Sequence, residues 1–230
     1  MRGLFVTGTD TGVGKTVLAA AVCAALVARG EHVAAFKPAV TGLDEEPGEW
    51  PHDHELLASV TGQAPSEVSP NRFGPPASPH LAAELAGRLL DPAGLVSAAR
   101  AAAEGADAIV GEGVGGLLVP LTAGYSVRDL CSDIGLPLLV AARPGLGTIN
   151  HTLLTVEAAR AGGLDVAAVV LTPWPDQPSR VEQSNRRAIE QATGLPVHGL
   201  ACTTPDGLAE AGTTLPLSQW LDPTRQTPAS

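Results

Sequence analysis

The sequence contains very little lysine: of its 14 basic residues only Lys15 and Lys37 are lysines, and the others are arginines. Acidic residues are more numerous, with 24 Asp and Glu, so the formal net charge is -10. A nucleic-acid surface would have to be local and would work against the field of the whole molecule. The charge balance therefore argues against a non-specific DNA- or RNA-binding protein, and we expect no nucleic-acid partner.

Cysteine is scarce as well, and long apolar runs are absent. Cys23, Cys131 and Cys202 are an odd number without Cys-X-X-Cys spacing, which argues against a disulfide framework and a zinc site. No stretch of 18 apolar residues could span a membrane, and the apolar run before Thr7 is too short for a signal peptide. We therefore expect free thiols, no membrane partner and a cytoplasmic location.

What the sequence does have is a 44% hydrophobic composition over 230 residues, enough for one domain with a sizeable core. Short β-rich apolar runs alternate with Ala- and Leu-rich helical patterns, which is typical of crossover units in a mainly parallel sheet. The predicted strands are residues 3–7, 32–36, 108–111, 137–141, 166–171 and 197–200. The predicted helices are residues 15–28, 80–90, 92–103, 127–134, 148–161 and 180–192.

These patterns predict one α/β domain over residues 1–221, with helices on both faces of the sheet. Residues 43–79 are rich in Pro, Gly and acidic residues, and we interpret them as a long, partly helical excursion over the strand ends. Residues 222–230 are predicted to form a flexible tail.

A glycine-rich segment joins the first predicted strand to the first predicted helix and reads Gly8-Thr9-Asp10-Thr11-Gly12-Val13-Gly14-Lys15-Thr16. This order is typical of a P-loop, in which backbone N–H groups bind phosphate oxygens. Lys15 would supply a point charge to the β- and γ-phosphates, and the Thr16 hydroxyl would bind Mg²⁺. The segment predicts a P-loop NTPase-like fold. Asp10 stands where membrane-partitioning ATPases have a second lysine, which argues against that branch.

A second basic motif follows the second predicted strand and reads Phe36-Lys37-Pro38-Ala39-Val40-Thr41-Gly42. The carboxyl ends of strands in a doubly wound sheet face the crevice in which ligands bind. An isolated lysine is ordinarily a surface residue, but this position predicts that Lys37 lies beside the P-loop.

Four motifs together resemble the dethiobiotin synthetase family. The family pattern GTDTxVGKT matches residues 8–16, and KPxxSG matches residues 37–42 with Thr41 in place of serine. An apolar strand ending in EGxGG matches residues 110–116, and LGxINH matches residues 146–151. The motifs occur in order over residues 8–151.

The resemblance implies ATP- and Mg-dependent carboxylation and ring closure of 7,8-diaminopelargonate with CO₂, giving dethiobiotin, ADP and phosphate in biotin biosynthesis. The family enzymes are usually homodimers. In related enzymes a substrate amine becomes a carbamate, the carbamate attacks the γ-phosphate, and the other amine closes the ring on the mixed anhydride. Two lysines near the developing negative charge suit this chemistry.

The resemblance also implies a set of site residues. The catalytic residues are Lys37, Lys15 and Thr11. The nucleotide-binding residues are Gly12, Val13, Gly14, Lys15, Thr16, Val17, Asp53, Glu112, Gly113, Val114, Gly115, Thr172 and Pro173. The substrate-binding residues are Thr41, Gly147, Thr148 and Asn150, and the metal-binding residues are Thr16, Asp53 and Glu112.

The two carboxylates of the predicted metal site occur in different contexts. Glu112 ends an apolar run and is followed by glycines that let the backbone approach a ligand. A carboxylate opposite the P-loop hydroxyl suits a hard cation that keeps several waters. Asp53 lies in His52-Asp53-His54, where the HxH spacing leaves zinc as an alternative.

The predicted helix from Thr148 follows Gly145 and Gly147, so its free N–H groups could bind a carboxylate. In similar enzymes this segment comes from the neighbouring subunit and receives the substrate carboxylate. An ordinary capped helix is the alternative, and Asn150 suits a structural role equally well.

Two segments depart from the family pattern. The family often has an Asn-Asp-type pair after the fifth strand that reads the adenine edge, whereas residues 172–175 are Thr-Pro-Trp-Pro. The later base-contacting segment, residues 201–205, diverges as well. Proline has no backbone donor and the amide side chain is missing, so we expect weak discrimination among nucleoside triphosphates.

Two rival functions remain to be tested. A cobyrinic acid amidotransferase-type ligase has a similar phosphate loop but normally carries an added glutaminase domain, for which 230 residues leave no room. A regulatory or scaffolding P-loop ATPase does not account for Lys37-Pro38 with Thr41. Its nucleotide turnover would be independent of diaminopelargonate.

Overall fold

The computed structural model describes residues 1–221 and centres on a six-stranded parallel sheet. The strands of this part of the chain are β1 (Gly3–Gly8), β2 (Val33–Phe36), β3 (Ala108–Glu112), β4 (Pro120–Thr122), β5 (Tyr125–Ser126), β6 (Leu138–Ala142), β7 (Val166–Trp174) and β8 (Val197–Ala201). The sheet order is β2-β3-β1-β6-β7-β8, while β4 and β5 form an antiparallel hairpin that the sequence did not predict. All six predicted strands are confirmed. The predicted tail at 222–230 lies outside the described residues.

Helices cover both faces of the sheet, as predicted. They are α1 (Lys15–Val27), α2 (Asp53–Thr61), α3 (Pro65–Val68), α4 (Pro79–Leu85), α5 (Pro92–Ala102), α6 (Val127–Ile134), α7 (Thr148–Ala161), α8 (Arg180–Thr193), α9 (Leu208–Thr213) and α10 (Leu217–Leu221). The prediction of one helix over residues 80–90 is wrong at its end. That helix stops at Leu85, because Gly87 adopts a φ of 65° and turns the chain out of the right-handed helix.

The sheet separates two hydrophobic cores because successive side chains of a strand point to opposite faces. In β1, Leu4 and Val6 belong to the core under α1, whereas Phe5 belongs to the core under α5, α6 and α7. Helix α1 is rich in alanine and is buried between the sheet and α9. A Cβ on Gly212 of α9 would lie 2.0 Å from the Ala21 carbonyl oxygen, so only a glycine permits this close approach.

The parallel strands bring their carboxyl ends to one edge of the sheet, and this edge carries the loops after β1, β2, β3, β6 and β7. The excursion over residues 43–79 is partly helical, as predicted, and contributes α2 and α3. Its return is held to the segment after β2 by reciprocal backbone hydrogen bonds: Val40 N–H donates to the Asn71 oxygen, and Phe73 N–H donates to the Val40 oxygen, both at 2.9 Å. Among residues 1–221, no helix combines the length and the apolar character needed to cross a bilayer.

Candidate functional site

The P-loop turns sharply between β1 and α1. Gly12 and Gly14 have φ angles of 68° and 86°, in the left-handed region where a side chain would cause strain. Gly14 is the N-cap residue of α1, and no side chain caps the helix within the described chain. The first N–H groups of α1 therefore remain available to an anion at the positive end of the helix dipole.

Lys15 is folded against the P-loop. Its stem lies over Gly8, where a Cβ would be 2.9 Å from Lys15 Cγ, and its Nζ donates to the Asp10 carbonyl oxygen at 2.8 Å. Burial, together with the nearby Lys37 ammonium, lowers the pKa of Lys15 to about 8. A phosphate anion beside this ammonium would relieve both effects, as expected of a phosphate-binding lysine.

Lys37 lies directly after β2 and is only 1% exposed. Its Nζ is 2.6 Å from Glu112 Oε1 and 2.9 Å from Asp53 Oδ2, and it also donates to the Gly113 oxygen at 3.2 Å. Burial by itself would lower the pKa of Lys37, but the two carboxylates outweigh it and raise the pKa above the ordinary value. Lys37 is therefore a permanent buried cation at the strand edge.

The Thr16 hydroxyl meets the same two carboxylates. Its Oγ1 is 2.8 Å from Asp53 Oδ1 and 2.9 Å from Glu112 Oε1, although it has only one proton to donate. Burial would raise the pKa of Asp53, but the Lys37 charge and the hydrogen bonds from Lys37 and Thr16 outweigh it and lower that pKa. Burial raises the pKa of Glu112, whose Oε2 is buried and accepts no hydrogen bond within the described chain.

These oxygens fit a hard divalent cation. A hydroxyl and two carboxylates converge, and one buried carboxylate oxygen has no partner among residues 1–221. Among residues 1–221, no group of three or more His, Cys, Asp or Glu is placed to hold a metal, so the predicted metal site consists of two carboxylates and one hydroxyl. The backbone of His52 accepts the first hydrogen bonds of α2, and the rings of His52 and His54 are 6.3 Å apart.

The loop after β3 and the carboxyl end of β7 flank the P-loop. A Cβ on Gly115 would lie 3.6 Å from Thr11 Oγ1, and a Cβ on Gly14 would lie 2.8 Å from Thr172 Cγ2. Gly115 and Thr172 are thus neighbours of the phosphate loop on opposite sides of β1. Within the described structure, several other predicted residues form no hydrogen bond to Lys37, Asp53 or Glu112. They are Thr41, Val17, Val114, Gly147, Thr148, Asn150 and Pro173.

Helix α7 begins at Thr148 without a side-chain cap in the described structure, and its N-cap residue is Gly147 with a φ of 90°. No side chain of residues 1–221 therefore caps the first N–H groups of α7. Thr148 is buried with its Oγ1 3.4 Å from Thr152 Oγ1, whereas Asn150 is exposed and its side chain forms no hydrogen bond within residues 1–221.

At the end of β7, an aromatic ring and a guanidinium lie where the family often has an amide. The Arg186 guanidinium carbon is 5.6 Å from the centre of the Trp174 ring, a cation–π distance. The indole also covers Gly199, where a Cβ would be 2.4 Å from Trp174 Cγ. Both side chains have donors but no acceptor, so they lack the paired donor and acceptor that an amide presents to one base edge.

The structure adds one residue to this edge that the sequence interpretation missed. Arg143 follows β6, and its Nη2 donates to the Gly12 carbonyl oxygen at 3.2 Å. The signal was present in the sequence, because Arg143 comes directly after a predicted strand in the same way that Lys37 does. No family motif includes it, so it was passed over.

Comparisons with known proteins identify the relatives of this chain. A family model described as an AAA domain matches residues 2–202. The ATP-dependent dethiobiotin synthetase BioD of Anaeromyxobacter dehalogenans strain 2CP-1 is 52% identical over 183 residues, which cover 78% of this chain and 81% of that protein. The protein of the same name from Bacillus subtilis strain 168 is 36% identical over 202 residues, which cover 87% of each chain.

Two solved structures share the fold. A ParA family ATPase from Chlorobium tepidum TLS is 15% identical, with a TM-score of 0.55 over 93% of this chain and 89% of that one. Apo McdA from Cyanthece is 14% identical, with a TM-score of 0.53 over 98% of this chain and 95% of that one. At these identities the likeness concerns the P-loop NTPase-like fold alone.

Proposed function

The chain belongs to the ATP-dependent dethiobiotin synthetase family, and on that premise we propose that it converts 7,8-diaminopelargonate, CO₂ and ATP to dethiobiotin, ADP and phosphate in biotin biosynthesis. One observation carries the assignment beyond a general nucleotide site. Both lysines of the chain, Lys15 and Lys37, are buried at the same strand edge, and Lys37 is held by Glu112 next to the P-loop hydroxyl. A second buried ammonium there suits transfer of a phosphoryl group to a substrate oxygen.

The proposed reaction has three steps. An amine nitrogen of the substrate attacks CO₂ and loses a proton, which gives a carbamate. A carbamate oxygen attacks the γ-phosphorus, the bond to the β-γ bridging oxygen breaks, and ADP leaves. The second amine then attacks the carbonyl carbon of the mixed anhydride and loses a proton, phosphate departs, and the ureido ring is closed.

The lysines have separate roles in this scheme. Lys15 exchanges the Asp10 carbonyl for phosphate oxygens when the nucleotide binds, because an anion is a stronger acceptor than a neutral carbonyl. Lys37 remains in its carboxylate pair and presents positive charge where the carbamate and the γ-phosphate meet. Thr11 belongs to the phosphate loop, beside Gly115, and would contact the γ-phosphate.

Thr16, Asp53 and Glu112 would hold Mg²⁺, which when bound neutralises charge on the β- and γ-phosphates. The carboxylates keep Lys37 oriented at the same time, so the metal site and the catalytic lysine share their ligands. Removal of either carboxylate should therefore weaken the binding of Mg²⁺ and also disturb the orientation of Lys37.

The substrate is proposed to bind at Thr41 and at the uncapped start of α7, with Gly147, Thr148 and Asn150 near its carboxylate. We propose a homodimer in which a second copy contributes α7. Leu146 is 98% exposed directly before that helix, as expected of an apolar side chain that meets another surface. Residues 1–221 would act as one domain, in the cytoplasm and on small molecules only.

The deciding experiment is incubation of the full chain with ATP, Mg²⁺, labelled bicarbonate and diaminopelargonate. We expect labelled dethiobiotin, and phosphate release that rises when diaminopelargonate is added. Parallel reactions without diaminopelargonate, and with EDTA in excess over Mg²⁺, provide the controls. Phosphate release that is independent of diaminopelargonate, without labelled product, would instead identify a regulatory ATPase.

A further inference from the structure

A guanidinium covers the phosphate loop from the neighbouring strand. Arg143 is the first residue after β6, and its Nη2 donates to the Gly12 carbonyl oxygen at 3.2 Å. A Cβ on Gly12 would lie 3.2 Å from the same nitrogen. The head of Arg143 therefore rests directly on the loop that surrounds the phosphates in a P-loop protein.

This guanidinium has no carboxylate partner within residues 1–221, and in this respect it resembles Lys15 rather than Lys37. Lys37 is paired with Asp53 and Glu112, whereas Arg143 forms no ion pair within residues 1–221. Its single hydrogen bond uses one of five N–H donors, and the acceptor is an uncharged carbonyl. An exposed hydrogen bond of 3.2 Å contributes little stability, so bracing the loop is a poor account of the residue.

The backbone immediately after Arg143 is fixed by hydrogen bonds from α8. Asn185 of α8 is 8% exposed, and its Nδ2 donates to the carbonyl oxygens of Pro144 and Gly145, both at 3.0 Å. One buried amide thus satisfies two successive carbonyls immediately after Arg143. A fixed backbone lowers the entropy that the arginine would lose on binding a ligand.

We propose that Arg143 is a third cation of the nucleotide site and binds the γ-phosphate of the triphosphate, with Asn185 as its positioning residue. The role of Arg143 during phosphoryl transfer rests on the proposed function, whereas its contact with the bound triphosphate does not. A guanidinium fork binds two phosphate oxygens at once and stabilises the charge that develops during phosphoryl transfer. On nucleotide binding, Arg143 gives up the Gly12 carbonyl for these oxygens.

The test compares binding of a non-hydrolysable ATP analogue with binding of ADP by titration calorimetry, in wild type, Arg143→Met and Arg143→Lys. Arg143→Met should weaken binding of the analogue by about tenfold to a hundredfold, as expected for the loss of charged hydrogen bonds, and should weaken ADP binding much less. Arg143→Lys, which retains the charge without the fork, should lie in between.

Arg29→Met is the matched control. It removes the same charge from an exposed arginine about 20 Å away, at the far end of α1, and should leave both affinities unchanged. Asn185→Leu, which keeps the side-chain volume, should lower analogue affinity in the same direction, and adding Arg143→Met to it should cause less than the sum of the two losses.

Equal losses of ATP-analogue and ADP affinity in Arg143→Met would identify a loop brace and overturn the proposal, and so would unchanged affinities. The binding assays contain no diaminopelargonate. If wild type makes no dethiobiotin while Arg143→Met still loses analogue affinity selectively, the proposed reaction fails and the phosphate contact stands.

Discussion

The two ends of the nucleotide site are built differently, although both lie at the same edge of the sheet. At the phosphate end, Lys15, Lys37 and Glu112 are buried, and the ion pair between Lys37 and Glu112 is 2.6 Å long. At the end that the resemblance predicts to face the base, Pro173 is exposed, and the Arg186 guanidinium lies over the ring of the half-buried Trp174.

The difference concerns how strongly each end can select a ligand. Charged groups in a dry site interact strongly and demand a partner of the right charge and position. A half-exposed aromatic surface accepts any base with a planar face, because stacking does not depend on the pattern of donors. We infer that this chain selects for a triphosphate much more than for adenine.

Replacement of Lys37 by methionine should have the largest effect. It keeps most of the side-chain volume but leaves Glu112, which is fully buried, without its counter-ion. Dethiobiotin formation should fall by about a hundredfold to a thousandfold or more, because an oriented charge at the reacting atoms is lost. The free energy of unfolding should fall by about 3 to 5 kcal/mol, measured by urea denaturation. Nucleotide binding, measured by calorimetry, should persist.

The double variant Lys37→Met/Glu112→Gln separates the two losses. It removes both charges, so most of the stability should return while activity stays low. Wild-type rates of product formation in Lys37→Met would contradict the catalytic role. A double variant as unstable as Lys37→Met would show that the buried carboxylate is not the cause.

Replacement of Lys15 by methionine should have an intermediate effect of a different kind. ATP affinity should fall by about tenfold to a hundredfold, with a parallel loss of turnover, because charged hydrogen bonds to phosphate are lost. The free energy of unfolding should not fall at pH 7, because folding desolvates this ammonium and places it near Lys37, and the variant removes both unfavourable effects. Calorimetry and urea denaturation of the same preparation measure both.

A fall in stability comparable with that of Lys37→Met would show that Lys15 is a structural cation. The two lysines would then not differ in the way that the structure indicates. Arg29→Met again provides the control for a simple loss of surface charge.

Exchange of the nucleotide base should have the smallest effect. GTP, CTP and UTP should support dethiobiotin formation with kcat/KM values within about tenfold of that for ATP. The reason is that residues 172–175 carry no side-chain amide that would bind one base edge in preference to the others. Competition between pairs of triphosphates in one reaction, with product quantified, provides the measurement. Strict preference for ATP would reject this part of the comparison and would point to backbone groups that read adenine.

Most of the phosphate end could be predicted from the sequence. The P-loop, Lys37 and Glu112 each follow or end an apolar run, and the carboxyl ends of parallel strands meet at one edge whatever the intervening loops do. The local hydrophobic pattern and this rule of sheet topology were sufficient to bring the P-loop, Lys37 and Glu112 together. The same rule would have included Arg143, which was missed because it belongs to no motif.

Asp53 shows where the local signals were weaker. It reaches Lys37 from α2, inside the excursion over residues 43–79, and its place depends on backbone hydrogen bonds between Val40 and the returning chain. The wrong end of the helix predicted over 80–90 has a local cause, since Gly87 breaks a pattern whose apolar spacing continues to Leu90. Helices α9 and α10 are short, and α9 forms against the close-packed face of α1 rather than from strong periodicity of its own.

The sequence by itself determined the fold class, the phosphate loop and the family, because these depend on residues that are near one another in the chain or related by strand order. Only the tertiary structure decided the electrostatics of the site. It buried both lysines together, paired one of them with two carboxylates and left the other beside a carbonyl, and it set an unpaired arginine over Gly12. Charge interactions depend on distance and burial, and these are properties of the packed chain rather than of any segment.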